Sequence, residues 1–274
     1  MLEKLTRPIL LVGCGKMGSA MLSGWLGIGV ANAGVVIVEP MGLPLDFVRN
    51  PSVKVVTSAN EIVKGLNPEV VVFAVKPQQM DKVVPNYQKF VHSDTVFLSI
   101  AAGKNINYFE SKLGREVAIV RAMPNTPAAI GQGITVCCSN PSTNKLQSEL
   151  CRQLLLSIGE AIEVRNEDLI DAVTAVSGGG PAYVFLLIEC LAKAGINAGL
   201  PPELSNRLAL ITVSGSGQLA LLSDESPQTL RENVTSPGGT TLEALNILMA
   251  EDGLQHLMTR AIAAATKRSR ELAK

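Results

Sequence analysis

A glycine-rich motif near the start of the chain constrains its fold more than any other feature. Residues 13–18 read G-C-G-K-M-G and lie between an apolar run at Pro8–Val12 and a helical pattern at Met17–Trp25. In such a strand–turn–helix unit the first glycine, Gly13, allows the tight turn and Gly15 admits a pyrophosphate, while Gly18 lets the helix pack on the sheet. The helix start offers free N–H groups to the phosphates. The motif predicts a dinucleotide-binding domain, the alternative being a glycine-rich turn in an unrelated α/β domain.

The first half of the chain alternates between short β-branched runs and helical stretches. Near-continuous apolar runs are typical of strands buried on both faces of a parallel sheet, and intervening helices indicate right-handed βαβ units. The predicted strands are Pro8–Val12, Val35–Val38, Val70–Val75, Thr95–Ile100, Val117–Arg121, Ile134–Cys138 and Ile162–Val164. We therefore expect an α/β domain with a Rossmann-type, doubly wound parallel sheet over residues 1–165.

The second half, residues 166–274, is predicted to be entirely helical. Several of its helices are apolar almost all round, and Leu208–Val213 is broken only by Thr212. Such helices must be buried, but a segment of this size offers little core in which to bury them. We therefore expect this half to pack against a second copy of itself. The predicted helices are Asp168–Ser177, Pro181–Ala194 (ending at Gly195), Pro201–Leu222, Thr240–Met249 and Gly253–Leu272.

Composition excludes several classes of protein. Lys plus Arg and Asp plus Glu both number 24, so the chain lacks the basic surplus of a nucleic-acid-binding protein. No stretch reaches the roughly 18 to 20 uncharged apolar residues of a membrane span, and no leader is visible. The five cysteines are odd in number and show no C-x-x-C spacing, which argues against disulfides and against a metal site. We expect no nucleic acid, membrane or metal partner, and a reducing compartment, by default the cytoplasm.

A carboxylate and a lysine follow two of the predicted strands. Glu39 lies 21 residues after Gly18, where it can accept hydrogen bonds from the adenosine ribose and repel a 2′-phosphate. No arginine immediately follows it, so the sequence favours NADH over NADPH; the alternative is an exposed loop carboxylate. Lys76 ends the third strand, near cofactor phosphates or ribose, or else in solvent. The later segments Ala101–Gly103 and Met123–Pro127 would form a wall beside the nicotinamide.

The chain offers little for acid–base chemistry but two sites suited to a carboxylate. Its two histidines, His92 and His256, follow no predicted strand end. Dehydrogenases of alcohols and ketones usually need a positioned acid or base, whereas a protonated imine accepts hydride readily. Segments 177–183 (S-G-G-G-P-A-Y) and 234–241 (V-T-S-P-G-G-T-T) place N–H groups and hydroxyls at predicted helix starts, as an anion site requires. The alternative there is simple N-capping.

The chain resembles pyrroline-5-carboxylate reductases over essentially its whole length. The matching stretches, in the family's order, are VGCGKMG, FAVKPQ, SIAAG, VRAMPNTPA, SGGGPAYVF and NVTSPGGTTLEAL. The resemblance implies an N-terminal Rossmann domain and a C-terminal all-helical dimerisation domain. It also implies reduction of 1-pyrroline-5-carboxylate to L-proline with NADPH or NADH, by a homodimer or a higher ring of dimers.

Position by position, the resemblance also assigns roles to residues. It implies that the substrate carboxylate is held by Val234, Ser236, Gly239 and Thr240, that Thr241 relays a proton to the ring nitrogen, and that this loop serves the partner subunit's cofactor. Asp224 or Glu225 would also line the pocket. The implied cofactor-binding residues are Gly13, Cys14, Gly15, Lys16, Met17, Asn60 (near the adenosine ribose), Ala74, Val75, Lys76, Pro77, Ala101, Ala102 and Asn125. Gly179 replaces the family's usual serine, which removes one hydroxyl.

Two other classes of protein remain as alternatives. A β-hydroxyacid dehydrogenase would use a lysine and an asparagine one turn apart on a helix, and Lys193 with Asn197 has that spacing. We expect Gly195 to interrupt that turn, and the glycine-rich run of that family is not found before it. A non-enzymatic regulator that kept the fold is the second alternative, because fold alone does not fix chemistry.

Overall fold

The computed structural model of the chain describes residues 5–273. They form two compact units: one comprises residues up to Gly178 together with residues from Ala265 onward, and the other comprises Gly179–Ala264. The first unit is an α/β structure and the second is helical, which confirms the predicted fold class. The division of the chain at residues 165 and 166 stays a prediction.

The first unit is built on one eight-stranded sheet of order β3-β2-β1-β4-β5-β6-β7-β8. Its strands are β1 (Ile9–Val12), β2 (Val35–Val38), β3 (Val53–Val56), β4 (Val70–Phe73), β5 (Val96–Ser99), β6 (Ala118–Met123), β7 (Gly133–Ser139) and β8 (Gly159–Glu163). The first six strands are parallel, as predicted. Their carboxyl ends therefore meet at one edge of the sheet, where ligands bind in open sheets of this kind.

Helices connect the strands and make up the second unit. The α-helices are α1 (Lys16–Gly27), α2 (Leu45–Val48), α3 (Met80–Val83), α4 (Ile106–Leu113), α5 (Lys145–Leu156), α6 (Leu169–Val173), α7 (Gly180–Asn197), α8 (Pro202–Leu222), α9 (Pro227–Asn233), α10 (Thr240–Leu248) and α11 (Leu254–Leu272). Shorter 3₁₀ segments are Val30–Ala33, Ala59–Glu61, Pro77–Gln79, Val84–Phe90 and Thr126–Ile130, and Thr174–Gly178 is a π-helical turn. The predicted single helix at Asp168–Ser177 is therefore α6 followed by the π turn.

Two details of the predicted sheet are wrong. Strand β7 runs antiparallel to β6, and β8 pairs with β7 in parallel. Only residues 124–132 join β6 to β7, which is too short for the crossover that a parallel pair requires. Strand β3 was not predicted. It lies at the edge of the sheet, half-exposed, and Lys54 breaks its apolar run.

The central strands of the sheet are buried on both faces. On one face α1 packs with α5, and the fully buried Trp25 donates from Nε1 to the Leu154 carbonyl at 3.0 Å. On the other face the ring of Phe73 stacks against those of Phe97 and Phe109, with centroid distances of 6.0 and 5.8 Å. Burial on both faces makes the sheet a rigid support for the loops at its carboxyl edge.

The helical unit depends on a close approach of α7 and α8. Small side chains form their seam: Ala192, Ser205 and Ala209 are buried, and Ser205 Oγ donates to the Ala192 carbonyl at 2.6 Å. The prediction that Gly195 ends the helix is wrong, because α7 runs through it to Asn197. A Cβ at Gly195 would lie 2.2 Å from Ser205 Oγ, so glycine at this position allows the close packing of α7 against α8.

Large apolar side chains of the helical unit face outward. Phe185 is 58% exposed, Leu222 79% and Ile247 75%. The helical stretch Leu169–Asn197 is also long and apolar enough to cross a membrane by length and composition, although charged residues such as Glu189 interrupt it. Contiguous apolar surface of this kind marks an interaction site.

Candidate active site

The glycine loop between β1 and α1 leaves open space above it. Gly13 adopts a φ of 86°, and a Cβ on Gly18 would lie 2.6 Å from the Gly13 carbonyl oxygen. Only glycine fits both places, the first for its left-handed turn and the second for helix packing. A Cβ on Gly15 would meet nothing within 4 Å. No side chain caps α1, and its first turn carries no acidic residue, so its N–H groups suit a pyrophosphate.

The carboxylate at the end of β2 lies against this loop. Glu39 Oε2 accepts from the Cys14 N–H at 2.8 Å, and Oε1 accepts from the Met41 N–H at 3.1 Å. Glu39 is half-buried and is thus not the exposed loop carboxylate of the alternative interpretation. Burial raises the pKa of the Cys14 thiol; a neutral thiol adds no negative charge to a site for phosphates.

The strand that sequence reasoning missed brings a further predicted residue to the same edge. The Glu39 N–H donates to the Val56 carbonyl at 3.0 Å, so the ends of β2 and β3 are neighbours. Asn60 follows in the exposed 3₁₀ turn Ala59–Glu61. Its place beside the adenosine ribose is implied by the resemblance and stays a prediction.

The loop after β4 forms the other side of the glycine turn. The Ala74 N–H donates to the Val12 carbonyl at 2.8 Å, and Val75 Cγ1 would lie 2.6 Å from a Cβ on Gly13. Lys76 is exposed at the start of the 3₁₀ turn Pro77–Gln79. Within the part of the chain that the structure describes, its ammonium group makes no hydrogen bond or ion pair. It is therefore free to meet an anionic ligand.

The loop after β5 packs against the end of the chain. Ala101 is buried and Ala102 is half-buried. Gly103 has a φ of 71°, and a Cβ on it would lie 2.9 Å from Leu272 Cβ in α11. The small residues of this loop thus form a tightly packed surface at the sheet edge.

The loop after β6 is joined to the π turn. Asn125 Oδ1 accepts from the Ile134 N–H at 3.0 Å, and Asn125 Nδ2 donates to Ser177 Oγ at 3.2 Å. A Cβ on Gly178 would lie 2.4 Å from Met123 Cε. The first residues of the S-G-G-G motif thus lie on the carboxyl end of β6. The predicted helix start lies here as well: α7 begins at Gly180, after the N-cap residue Gly179, and no side chain caps it.

Sequence reasoning missed a buried ionic network beneath this loop. Arg121 is 3% exposed, and its Nη1 lies 2.8 Å from Glu167 Oε1. Its Nη2 lies 3.9 Å from Asp171 Oδ1, which accepts from Ser269 Oγ at 2.6 Å. Glu167 Oε1 also accepts from the Ile106 N–H at 2.8 Å. An arginine inside an otherwise apolar strand was the available signal, because a buried charge requires partners.

In the helical unit, the predicted substrate residues form the turn between α9 and α10. Gly238 has a φ of 68°, and the Gly239 N–H donates to the Ser236 carbonyl at 3.0 Å. No side chain caps α10, which counts against the N-capping alternative. The hydroxyls of Ser236, Thr240 and Thr241 are exposed and make no hydrogen bond to any residue from 5 to 273. Val234 is exposed as well.

The two acidic residues before α9 differ in their contacts. Glu225 accepts from Asn233 Nδ2 at 3.1 Å and so ties the start of this segment to the end of α9. Asp224 is exposed and makes no ion pair with a described residue. The two histidines, His92 and His256, are both exposed, in agreement with their interpretation as surface residues.

Comparison with known proteins decides the family. Residues 167–272 match the family model of the pyrroline-5-carboxylate reductase dimerisation domain, and residues 8–103 match that of coenzyme F420-dependent NADP oxidoreductases. A pyrroline-5-carboxylate reductase of Pseudomonas aeruginosa is 38% identical over 98% of this chain and 97% of its own. The chain belongs to the pyrroline-5-carboxylate reductase family.

Two solved pyrroline-5-carboxylate reductase structures confirm the fold at full length. The enzyme of Coxiella burnetii has a TM-score of 0.88 and 34% identity, covering 98% of this chain and all 100% of its own. That of Plasmodium falciparum, solved with NADP bound, has a TM-score of 0.82 and 32% identity, covering 99% and 100%. Membership of this family makes the chain a nicotinamide-dependent oxidoreductase, as its sequence predicted.

The family assignment also removes the dehydrogenase alternative, although one argument against it was wrong. Gly195 does not interrupt the turn between Lys193 and Asn197, since all three lie in α7. The full-length relationship to pyrroline-5-carboxylate reductases, and not the helix geometry, excludes that class.

Proposed function

We propose that this protein reduces 1-pyrroline-5-carboxylate to L-proline with a hydride from NADH or NADPH, the last step of proline synthesis. The observation that carries the proposal is the open glycine loop at the uncapped start of α1, in a chain related over its full length to these reductases. When bound, the reduced dinucleotide supplies the hydride. The protein's own residues bind and orient the dinucleotide and the pyrroline, and they protonate the ring nitrogen.

Different loops at the carboxyl edge of the sheet bind different parts of the cofactor. The N–H groups of the glycine loop and of the start of α1 hold the pyrophosphate, and Asn60 lies beside the adenosine ribose. The loops after β4, β5 and β6 border the nicotinamide half. The residues assigned to the cofactor are Gly13, Cys14, Gly15, Lys16, Met17, Glu39, Asn60, Ala74, Val75, Lys76, Pro77, Ala101, Ala102 and Asn125.

Glu39 makes NADH the preferred cofactor. Its carboxylate is fixed by two backbone N–H groups, those of Cys14 and Met41, so it cannot swing away without leaving both unpaired. A ribose hydroxyl can donate to such a carboxylate, whereas a 2′-phosphate is repelled by it. Glu39 makes no ion pair with any described lysine or arginine that would offset this repulsion.

On the substrate side, the α9–α10 turn holds the acid group of the pyrroline. Backbone N–H groups and hydroxyls of Val234, Ser236, Gly239 and Thr240 hold the carboxylate, as an uncapped helix start favours. Thr241 lies by the ring nitrogen. Hydride adds to the imine carbon and the C=N electrons pass to nitrogen. The Thr241 hydroxyl gives its proton to that nitrogen and takes one from water, which leaves a secondary amine.

The exposed apolar helices are the contact surface of a homodimer. The match of residues 167–272 to the family's dimerisation model supports this assignment, as does the exposure of Phe185 and Leu222. In the dimer the α9–α10 turn of one subunit serves its partner's cofactor, and a ring of such dimers is the larger assembly to test for. We place the enzyme in the cytoplasm and divide it into a dinucleotide-binding domain, 1–165, and a dimerisation domain, 166–274.

Gly15 offers a sharp test of the cofactor site. A Gly15→Ala change meets no protein atom within 4 Å, so the fold should tolerate it, but its methyl enters the space assigned to the pyrophosphate. We expect NADH to bind at least tenfold more weakly and the melting temperature to stay unchanged. Gly27→Ala, which also meets nothing within 4 Å, is the matched control.

The activity itself is tested by adding 1-pyrroline-5-carboxylate to the purified protein with NADH or NADPH. Loss of the reduced-nicotinamide absorbance and formation of proline are the expected results. If wild-type protein binds the dinucleotide but forms no proline, the proposed substrate is wrong. If Gly15→Ala binds NADH as wild type does, the loop assignment is wrong.

A further inference from the structure

The hydroxyl of Ser177 has a defined orientation at the carboxyl end of β6. The backbone N–H of Ile134 can only donate, so the Asn125 side-chain atom facing it, at 3.0 Å, must be the carbonyl oxygen. The other end of the same amide is therefore the NH₂ group, which lies 3.2 Å from Ser177 Oγ. Ser177 must accept this hydrogen bond, and its own proton points elsewhere.

No described residue accepts that proton. Across residues 5–273, the hydrogen bond from Asn125 is the one that the Ser177 side chain makes. Ser177 is half-buried, so its side chain is partly accessible to a ligand. A donor left without an acceptor in such a position is available to a ligand.

The turn that carries Ser177 is held in place on two sides. Gly178 lies directly on Met123, since a Cβ at this glycine would come within 2.4 Å of Met123 Cε. On the preceding helix, α6, Asp171 accepts from Ser269 Oγ at 2.6 Å and faces Arg121. π turns are frequently found at functional sites, and this one fixes the hydroxyl at the sheet edge where ligands bind.

We propose that Ser177 is a cofactor-binding residue whose hydroxyl donates to the carboxamide oxygen of the nicotinamide ring. Asn125 is then a positioning residue, which binds the serine oxygen and turns its proton toward the ring. Gly179 carries no side chain, so Ser177 provides the one hydroxyl of segment 177–180. The ligand class rests on the proposed function, because the loop after β6 borders the nicotinamide half in that proposal.

Calorimetric titration with two ligands tests this contact. NADH has the carboxamide, and ADP-ribose is the same molecule without the nicotinamide ring. For Ser177→Ala we expect NADH to bind roughly three- to tenfold more weakly, the usual effect of one lost hydrogen bond, and ADP-ribose to bind unchanged. Ser177→Thr keeps the hydroxyl and should restore most of the affinity.

Further measurements distinguish a direct contact of Ser177 with the carboxamide from a general disturbance of the binding site. Thio-NADH carries sulfur, a weaker acceptor, in place of the carboxamide oxygen; it should bind wild type more weakly than NADH does but lose nothing more in Ser177→Ala. Asn125→Ala should weaken NADH and not ADP-ribose, and combining it with Ser177→Ala should add little. Ser139→Ala, on β7 at the opposite end of the sheet, removes a half-buried hydroxyl and should leave both ligands unaffected.

Equal weakening of NADH and ADP-ribose in Ser177→Ala, or no weakening of either, would overturn the assignment. Neither measurement uses the pyrroline substrate. Wild-type protein that binds NADH but forms no proline would therefore refute the proposed reaction and leave the Ser177 contact standing.

Discussion

Replacing Gly195 with alanine tests how closely α7 and α8 approach each other. The new Cβ would lie 2.2 Å from Ser205 Oγ, while its next neighbours, Leu200 Cδ1 and Ser205 Cβ, would be 3.2 and 3.4 Å away. Only the hydroxyl is too close, so it must rotate. Rotation breaks its 2.6 Å hydrogen bond to the Ala192 carbonyl and leaves a buried hydroxyl without an acceptor.

The expected cost follows from three effects. An unsatisfied buried hydroxyl costs about 1–3 kcal/mol, and overpacking a well-filled contact costs about 1–3 kcal/mol. Alanine favours the helix over glycine by about 1 kcal/mol. Rotation of the hydroxyl relieves part of the overlap, so the lower half of both cost ranges applies, and we expect Gly195→Ala to lower the free energy of unfolding by about 2 kcal/mol. In a Ser205→Ala background the clash is gone, and the same change should be neutral or stabilising.

Urea denaturation followed by circular dichroism measures these free energies. The protein concentration must be the same for all four proteins, because association contributes to the stability of an oligomer. A double-mutant cycle then gives the coupling between positions 195 and 205, which we expect to be about 2–3 kcal/mol. If Gly195→Ala is as stable as wild type while Ser205 is present, the helices are not as close as the structure indicates.

Three further changes test the proposed site and its support. Thr241→Val should lower kcat by about 100-fold if the hydroxyl relays the proton. The control Thr259→Val, on α11, should leave kcat unchanged. Equal kcat values for the two variants would contradict the relay. Glu39→Gln should raise kcat/KM for NADPH more than for NADH, and an unchanged ratio of the two would show that the carboxylate does not select the cofactor. Arg121→Met should destabilise the protein by about 3–5 kcal/mol, because two carboxylates lose their buried partner; urea denaturation at one protein concentration measures the loss, and a variant as stable as wild type would contradict the network.

The sheet was predictable from the sequence where its strands are buried on both faces. Strands β1 and β4 are unbroken apolar runs and β5 has a polar residue only at its end, Ser99, and such runs have few other interpretations. Strand β3 was not predicted because an edge strand needs no apolar residue on its open side. Lys54 occupies one such position. The direction of β7 follows from the length of its connection to β6 and was available to sequence reasoning.

The candidate site was predictable where glycine is obligatory. Gly13 and Gly18 are fixed by backbone geometry, so their spacing reports a local structure that any chain with this turn must have. The contacts of Ser177 and Arg121 join residues 52 and 46 positions apart in the chain. Hydrophobic periodicity and turn chemistry carry no information on such pairs, because they describe only local neighbours.

The Arg121 network holds the loop after β6 in a defined position through contacts made outside that loop. One guanidinium faces two carboxylates, and each carboxylate also accepts a hydrogen bond from another segment: Glu167 from the Ile106 N–H and Asp171 from Ser269 Oγ. The start of α4, the strand β6, the helix α6 and the end of α11 therefore share one charged centre. Because a buried charge cannot lose a partner cheaply, a shift of α6 would disturb all four segments together. The π turn continues from α6, so the position of Ser177 depends on charges that do not touch the cofactor site.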